Sequence, residues 1–150
     1  MKRVILICTV LFCVLTACRQ DSEKIEMKHL ENAIKETIAD NKYQWVVILP
    51  GLGCHGCIQE GEFFMSEHIT DNRILFVLTK ISSLKILQQK MDIRIDEHSN
   101  IFVDRNNIFT IPTDNRIYPC VVRLKEGKIS DHSFQSPQNA AFYQLEQQLK

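Results

Sequence analysis

Two short apolar runs constrain this chain most: Trp45-Val46-Val47-Ile48-Leu49 and Ile74-Leu75-Phe76-Val77-Leu78. Five such residues are too few for a core helix, and unbroken apolar, β-branched character indicates a strand buried on both faces. Pro50, Gly51 and Gly53 stop the first run, and Cys54-His55-Gly56-Cys57 follows at once. A helix is expected from near Cys54 to about Ile69, with Phe63, Phe64 and Met65 in the core. The second strand is expected over Arg73–Lys80. Leu84, Leu87 and Met91 then share one side of a helix over Ser82–Met91, with Ser82 or Ser83 as its N-cap. Strands alternating with helices predict an α/β domain around a central sheet, with a site at the carboxyl end of a strand. The CxxC stands at that position.

The flanking segments fit one compact domain, as 150 residues allow. From Ser22 to about Asn41, Ile25, Leu30, Ile34 and Ile38 recur at near-helical spacing among Lys and Glu, which predicts an amphipathic helix. Between Ile93 and Asn115 the pattern supports a short strand at Ile101-Phe102-Val103 and a turn over Asp104–Asn107. Tyr118–Leu124 reads as a strand, with Glu126-Gly127 as a hairpin turn into Lys128-Ile129. Ala140–Lys150 closes the chain as a helix with Phe142 and Leu145 inward. Trp45 is expected to pack at its strand start. The 18 Lys and Arg are scattered and offset by 18 Asp and Glu, so nothing points to a nucleic-acid partner.

The N-terminus reads differently. Met1-Lys2-Arg3 precedes the apolar run Val4–Leu15, which is shorter than the ~20 residues a spanning helix needs and has the basic flank of a secretory signal. Its exit, Leu15-Thr16-Ala17-Cys18, resembles the lipobox of bacterial lipoproteins. That resemblance implies a signal peptide over 1–17, lipidation at Cys18, a tether over 18–24, and a folded domain over 25–150 that faces the periplasm from the inner or outer membrane. An uncleaved transmembrane anchor is the alternative. Loss of Lys2 and Arg3 with the signal would leave 16 basic residues against 18 acidic. Of six cysteines, Cys8 and Cys13 would leave with it and Cys18 would carry lipid, so Cys54, Cys57 and Cys120 remain. Three is an odd number for a framework of paired bridges.

A CxxC at a helix start brings two sulfurs within bridging reach. It also sets the first against the unsatisfied N–H groups and positive dipole end of the helix. Both favour the thiolate, the attacking species. Cys54 is then the nucleophile and Cys57 the resolving thiol; a protonated His55 between them would stabilise the Cys54 thiolate further. Two other readings compete. The pair can be a purely structural disulfide. It can also supply soft ligands to zinc or copper with His55 or Cys120, although there is no second CxxC or His pair at ligand spacing. Cys120 is either a buried small apolar residue or a third redox thiol. His29, His68, His98 and His132 read as solvated or locally hydrogen-bonded.

A strand, a CxxC-helix and a later Tyr118-Pro119 strand ending in a Gly turn together resemble the thioredoxin-like family of thiol–disulfide oxidoreductases. The resemblance covers most of the chain after the signal and rests on order and motifs. It implies an α/β, thioredoxin-like fold with a central mixed sheet flanked by helices. It also implies catalytic Cys54 and Cys57, with His55, Gly56, Tyr118, Pro119 and Cys120 as neighbours. Pro119 would be a cis-proline facing the dithiol, since cis bonds are almost confined to X-Pro, and the Tyr118 backbone would pair with an extended substrate. No cofactor is implied. The partners would be protein disulfide or dithiol substrates and a redox-resetting protein, with reduction of exported proteins favoured over oxidation. The chain departs from the family in three places. Gly53 replaces the Trp usual before the first Cys, Ile48 stands where many members bury an Asp, and no Pro lies inside the motif. Proton transfer is left to His55, Glu60 or water. A lipid-anchored binding module that holds copper, zinc or a protein without turnover is the alternative function.

Overall fold

A computed structural model describes residues 21–38 and 42–150. The segment expected to be a signal peptide, the lipobox-like run and Cys18 lie outside these residues. The chain is a mixed α/β structure with helix α1 over 21–37, then β1 (Trp45–Pro50), α2 (His55–His68), β2 (Ile74–Thr79) and α3 (Leu84–Met91). β3 (Ile101–Asp104), β4 (Cys120–Lys125), β5 (Lys128–Phe134) and α4 (Ala141–Leu149) complete it. Single 3-10 turns occupy Ile95–Glu97 and Asp114–Ile117.

The five strands form one sheet in the order β3-β2-β1-β4-β5. β1, β2 and β3 are parallel, whereas β4 is antiparallel to β1 and β5 antiparallel to β4. β1 and β2 are buried at every position, as their unbroken apolar runs require in a sheet covered on both faces. Alternate residues of β1, β2, β3 and β4 enter two separate cores, because successive side chains point to opposite faces. Val47, Leu49, Phe76, Leu78 and Val121 pack with Phe64 and Met65 of α2, Leu87 of α3, and Phe142 and Leu145 of α4. Val46, Ile48, Val77, Cys120 and Val122 pack on the other face with Leu30, Ala33 and Ile34 of α1, and with Phe109 and Ile111. Trp45 is buried at the strand start, under the Arg123 guanidinium.

Local chemistry accounts for most boundaries. Ser83 caps α3, its hydroxyl accepting from the Ile86 amide at 3.3 Å. Asp92 ends the same helix in the left-handed region. Glu126 and Gly127 both have positive φ, the conformation a two-residue hairpin turn requires, and they join β4 to β5 with Lys125 opposite Lys128. Asp104 belongs to β3 rather than to the following turn. Its buried carboxylate accepts from Thr79 Oγ1 at 2.9 Å and from the Ile108 and Phe109 amides at 3.0 and 2.9 Å.

Three sequence expectations need correction. Ile25 is 53% exposed, and Glu26 takes the inward position instead. The buried face of α1 runs 26-30-33-34, keeping Leu30 and Ile34 and replacing Ile25 by Glu26, which meets polar partners beneath the helix. Phe63 is exposed, while its neighbours Phe64 and Met65 are buried; three consecutive helical residues cannot share one face. The Tyr118–Pro119 bond is trans, as no described peptide bond is cis. Tyr118 instead meets the proline in the extended conformation, φ −107° and ψ 144°, which X-Pro sterics favour.

Candidate active site

The carboxyl ends of β1 and β2 and the start of β4 meet at one end of the sheet. Pro50 lies opposite Thr79, and Ile48 lies opposite Cys120. The chain leaves β1 through Gly51, whose amide donates to the Thr79 carbonyl at 2.8 Å. A Cβ at Gly51 would stand 2.3 Å from the Lys80 carbonyl oxygen, so only glycine fits that approach.

Cys54 is the N-cap of α2, in extended conformation and with no side-chain cap of the helix amides. Its carbonyl accepts the Ile58 amide at 2.9 Å and so starts the helix. The first turn carries no acidic residue to offset the positive end of the dipole. Cys54 and Cys57 are joined as a disulfide with Cα atoms 5.3 Å apart, within the usual range. Cys54 is half-buried and Cys57 is 5% exposed. Cys54 is therefore the more exposed half of the bridge and Cys57 the buried half. His55 and Gly56 are exposed beside the bridge, and Leu52 and Ile117 give the rim exposed apolar surface.

Tyr118 is half-buried and Pro119 buried at the entry to β4. Both therefore lie at the motif's end of the sheet. The segment before them touches the motif directly: the Cys54 amide donates to the Ile117 carbonyl at 2.9 Å. Gln135, the residue after β5, ties the same region together. Its amide donates to the Pro119 carbonyl at 2.9 Å, its side-chain oxygen accepts the Phe142 amide at 3.1 Å, and its side-chain nitrogen donates to Glu60 of α2.

Cys120 is fully buried in the core on the α1 face, opposite Ile48, whereas Phe64 and Met65 of α2 lie in the core on the other face. Burial pushes its thiol well above the ordinary value, and the Glu26 and Asp131 carboxylates push the same way. That is a thiol, not a thiolate. Among the described residues no three His, Cys, Asp or Glu side chains come together as a metal site, and no helix is long and apolar enough to cross a membrane.

Sequence reasoning missed Ile117, Gln135, Glu26 and His132. His132 is not solvated: its side chain is 3% exposed and its Nε2 lies 3.0 Å from Glu26 Oε2. A buried Glu at an inward helix position and a His on an edge strand carry no spacing signal, since their partners are distant in sequence. Comparison with protein-family models finds no match, and comparison with curated proteins finds no matching relative.

Proposed function

We propose that this chain is a thiol–disulfide oxidoreductase of thioredoxin-like fold, exported and tethered to a bacterial membrane through lipid on Cys18. One observation carries the reading. A disulfide sits at the N-terminus of α2 between a half-buried Cys54 and a buried Cys57. The strand order lends support, since the motif follows the central strand of a mixed sheet and faces the loop into an antiparallel hairpin.

In the reduced chain the Cys54 thiolate attacks one sulfur of a substrate disulfide. A Cys54–substrate disulfide forms, and the first substrate thiolate leaves. Cys57 loses its proton and attacks Cys54 Sγ. The Cys54–Cys57 bond re-forms, and the second substrate thiolate leaves. The two electrons come from the dithiol, so no organic cofactor is required, and a dithiol protein returns the pair to the reduced state. The proton from Cys57 passes to water, His55 or Glu60. Apolar Leu52 and Ile117 at the rim suit a polypeptide substrate. Reduction of disulfides in exported proteins is the favoured direction.

Cys54→Ser is the decisive variant. The wild-type chain should reduce insulin disulfides with dithiothreitol as reductant, and the variant should not. Turnover that persists in Cys54→Ser, or a wild-type chain without turnover, overturns the assignment in favour of a binding module. Cys18→Ala should release the chain from membranes; a variant that stays bound indicates an uncleaved anchor.

A further inference from the structure

The Glu26 carboxylate is buried beneath α1 and receives three donors: Thr113 Oγ1, Asn115 Nδ2 at 2.8 Å, and His132 Nε2 at 3.0 Å. Two of these belong to one short segment, 113–118, and the third stands on β5. That segment has little apolar burial of its own. Asp114, Arg116 and Ile117 are exposed, and Thr113, Asn115 and Tyr118 are half-buried. Hydrogen bonds must therefore set its position up to the buried Pro119.

The segment is a single 3-10 turn with Thr113 as its cap, the hydroxyl accepting from the Asn115 amide at 3.3 Å. Its far end is closed by the Tyr118 amide on the Asn115 carbonyl at 3.0 Å. Ile117, between them, presents the carbonyl that receives the Cys54 amide. Glu26 thus grips the two residues, Thr113 and Asn115, that define the turn, and the turn grips Cys54. A polar cleft of about 660 Å³ opens along this line, with Glu26, Asn115, Tyr118 and His132 in its wall.

We propose that Glu26 is a positioning residue for the redox pair: it holds the 113–118 turn whose Ile117 carbonyl fixes the backbone of Cys54. The proposal rests on the thiol–disulfide reading for its effect on rate, and on hydrogen bonds alone for its effect on Cys54. Glu26→Ala removes the acceptor for all three donors. Glu26→Gln keeps an oxygen for Thr113 and Asn115 and offers its amide to His132, whose ring nitrogen can accept in the other tautomer.

The test reads two quantities on the full chain. Amide hydrogen exchange at Cys54 should quicken roughly tenfold in Glu26→Ala, with the Phe76 amide of β2 unchanged, because the opening is local. The kcat/KM for insulin-disulfide reduction should fall about tenfold, within the hundredfold that an ångström of misplacement can cost. Glu26→Gln should recover most of both. Cys54 exchange that stays at the wild-type rate, or that quickens only together with Phe76, overturns the proposal. If Glu26→Ala does not fold, Asn115→Ala is read by the same two measurements with the same expectations. A wild-type chain without turnover would defeat the functional reading, and the Cys54 amide would still decide the role of Glu26.

Discussion

The Cys54 amide donates to the Ile117 carbonyl at 2.9 Å, so the CxxC motif and the segment leading into β4 are held backbone to backbone. This approach explains Gly53. Its φ is +148°, and a Cβ there would lie 2.2 Å from the Ile117 oxygen and 2.6 Å from its Cα. A side chain at residue 53 and the Cys54–Ile117 bond exclude each other. The Trp that thioredoxin-like proteins usually carry before the first Cys has no room in this backbone.

Gly53→Ala should therefore destabilise the chain by about 3 kcal/mol, combining a disfavoured φ with a backbone clash. Urea unfolding measures it. A loss below about 0.5 kcal/mol, the range of neutral surface changes, would mean that the turn relaxes freely and that the contact is not a tight constraint.

Cys120 should behave as an inert core thiol. In the reduced native chain at pH 8, iodoacetamide should modify Cys54 and leave Cys120 untouched until the protein unfolds. Equal reactivity of the two would return Cys120 to the site. Its raised thiol pKa also sets a sign. The buried group stays neutral while the unfolded chain ionises, so its contribution is fully present below the ordinary value of 9.0 and is lost as pH rises above it. Unfolding midpoints of wild type and Cys120→Ala between pH 7 and 10 should show the steeper alkaline decline in wild type.

At the acid end Asp71 gives the opposite slope. The Arg73 side chain bonds the Asp71 carboxylate at 2.7 and 3.0 Å and holds its pKa below the ordinary 3.8. The contribution is present above 3.8 and is lost as pH falls through the depressed value. Solvent screens this pair, so the effect should stay under about 1 kcal/mol. Asp71→Asn should flatten the acid limb of the stability curve; an unchanged limb would show that the pair contributes nothing.

The hairpin turn offers a stabilising change. Glu126 holds φ +53° ahead of Gly127 at +75°, a conformation that Asn tolerates better than Glu. Glu126→Asn should raise stability by about 0.5 kcal/mol, visible as a higher urea midpoint with an unchanged slope. A lower midpoint would point to a role for the Glu126 carboxylate outside the turn.

Most of the element order was legible in the sequence. The apolar runs, the Ser83 cap, the Glu126-Gly127 turn and the inward Phe142 and Leu145 are local signals, and each recurs in the structure. Misreadings fell where partners are remote. Ile25 and Phe63 looked inward on hydrophobicity alone, yet helix rotation is chosen by the whole packed face. His132 looked isolated because nothing near it in sequence shows that Glu26 waits beneath α1. The Tyr118-Pro119 dipeptide marked the right place in the chain, the entry to β4, but its bond is trans.

By itself, the sequence determined that strands alternate with helices and that Cys54 and Cys57 open a helix after a buried strand. Periodicity and turn chemistry act over a few residues, and that range is enough for both. Only the tertiary structure decided the surroundings of each cysteine. It put Cys120 in the core on the α1 face, Cys57 buried in the first turn of α2, and the Ile117 carbonyl against Cys54. Those placements depend on strand order and on hydrogen bonds between segments far apart in the chain, and no local pattern encodes either.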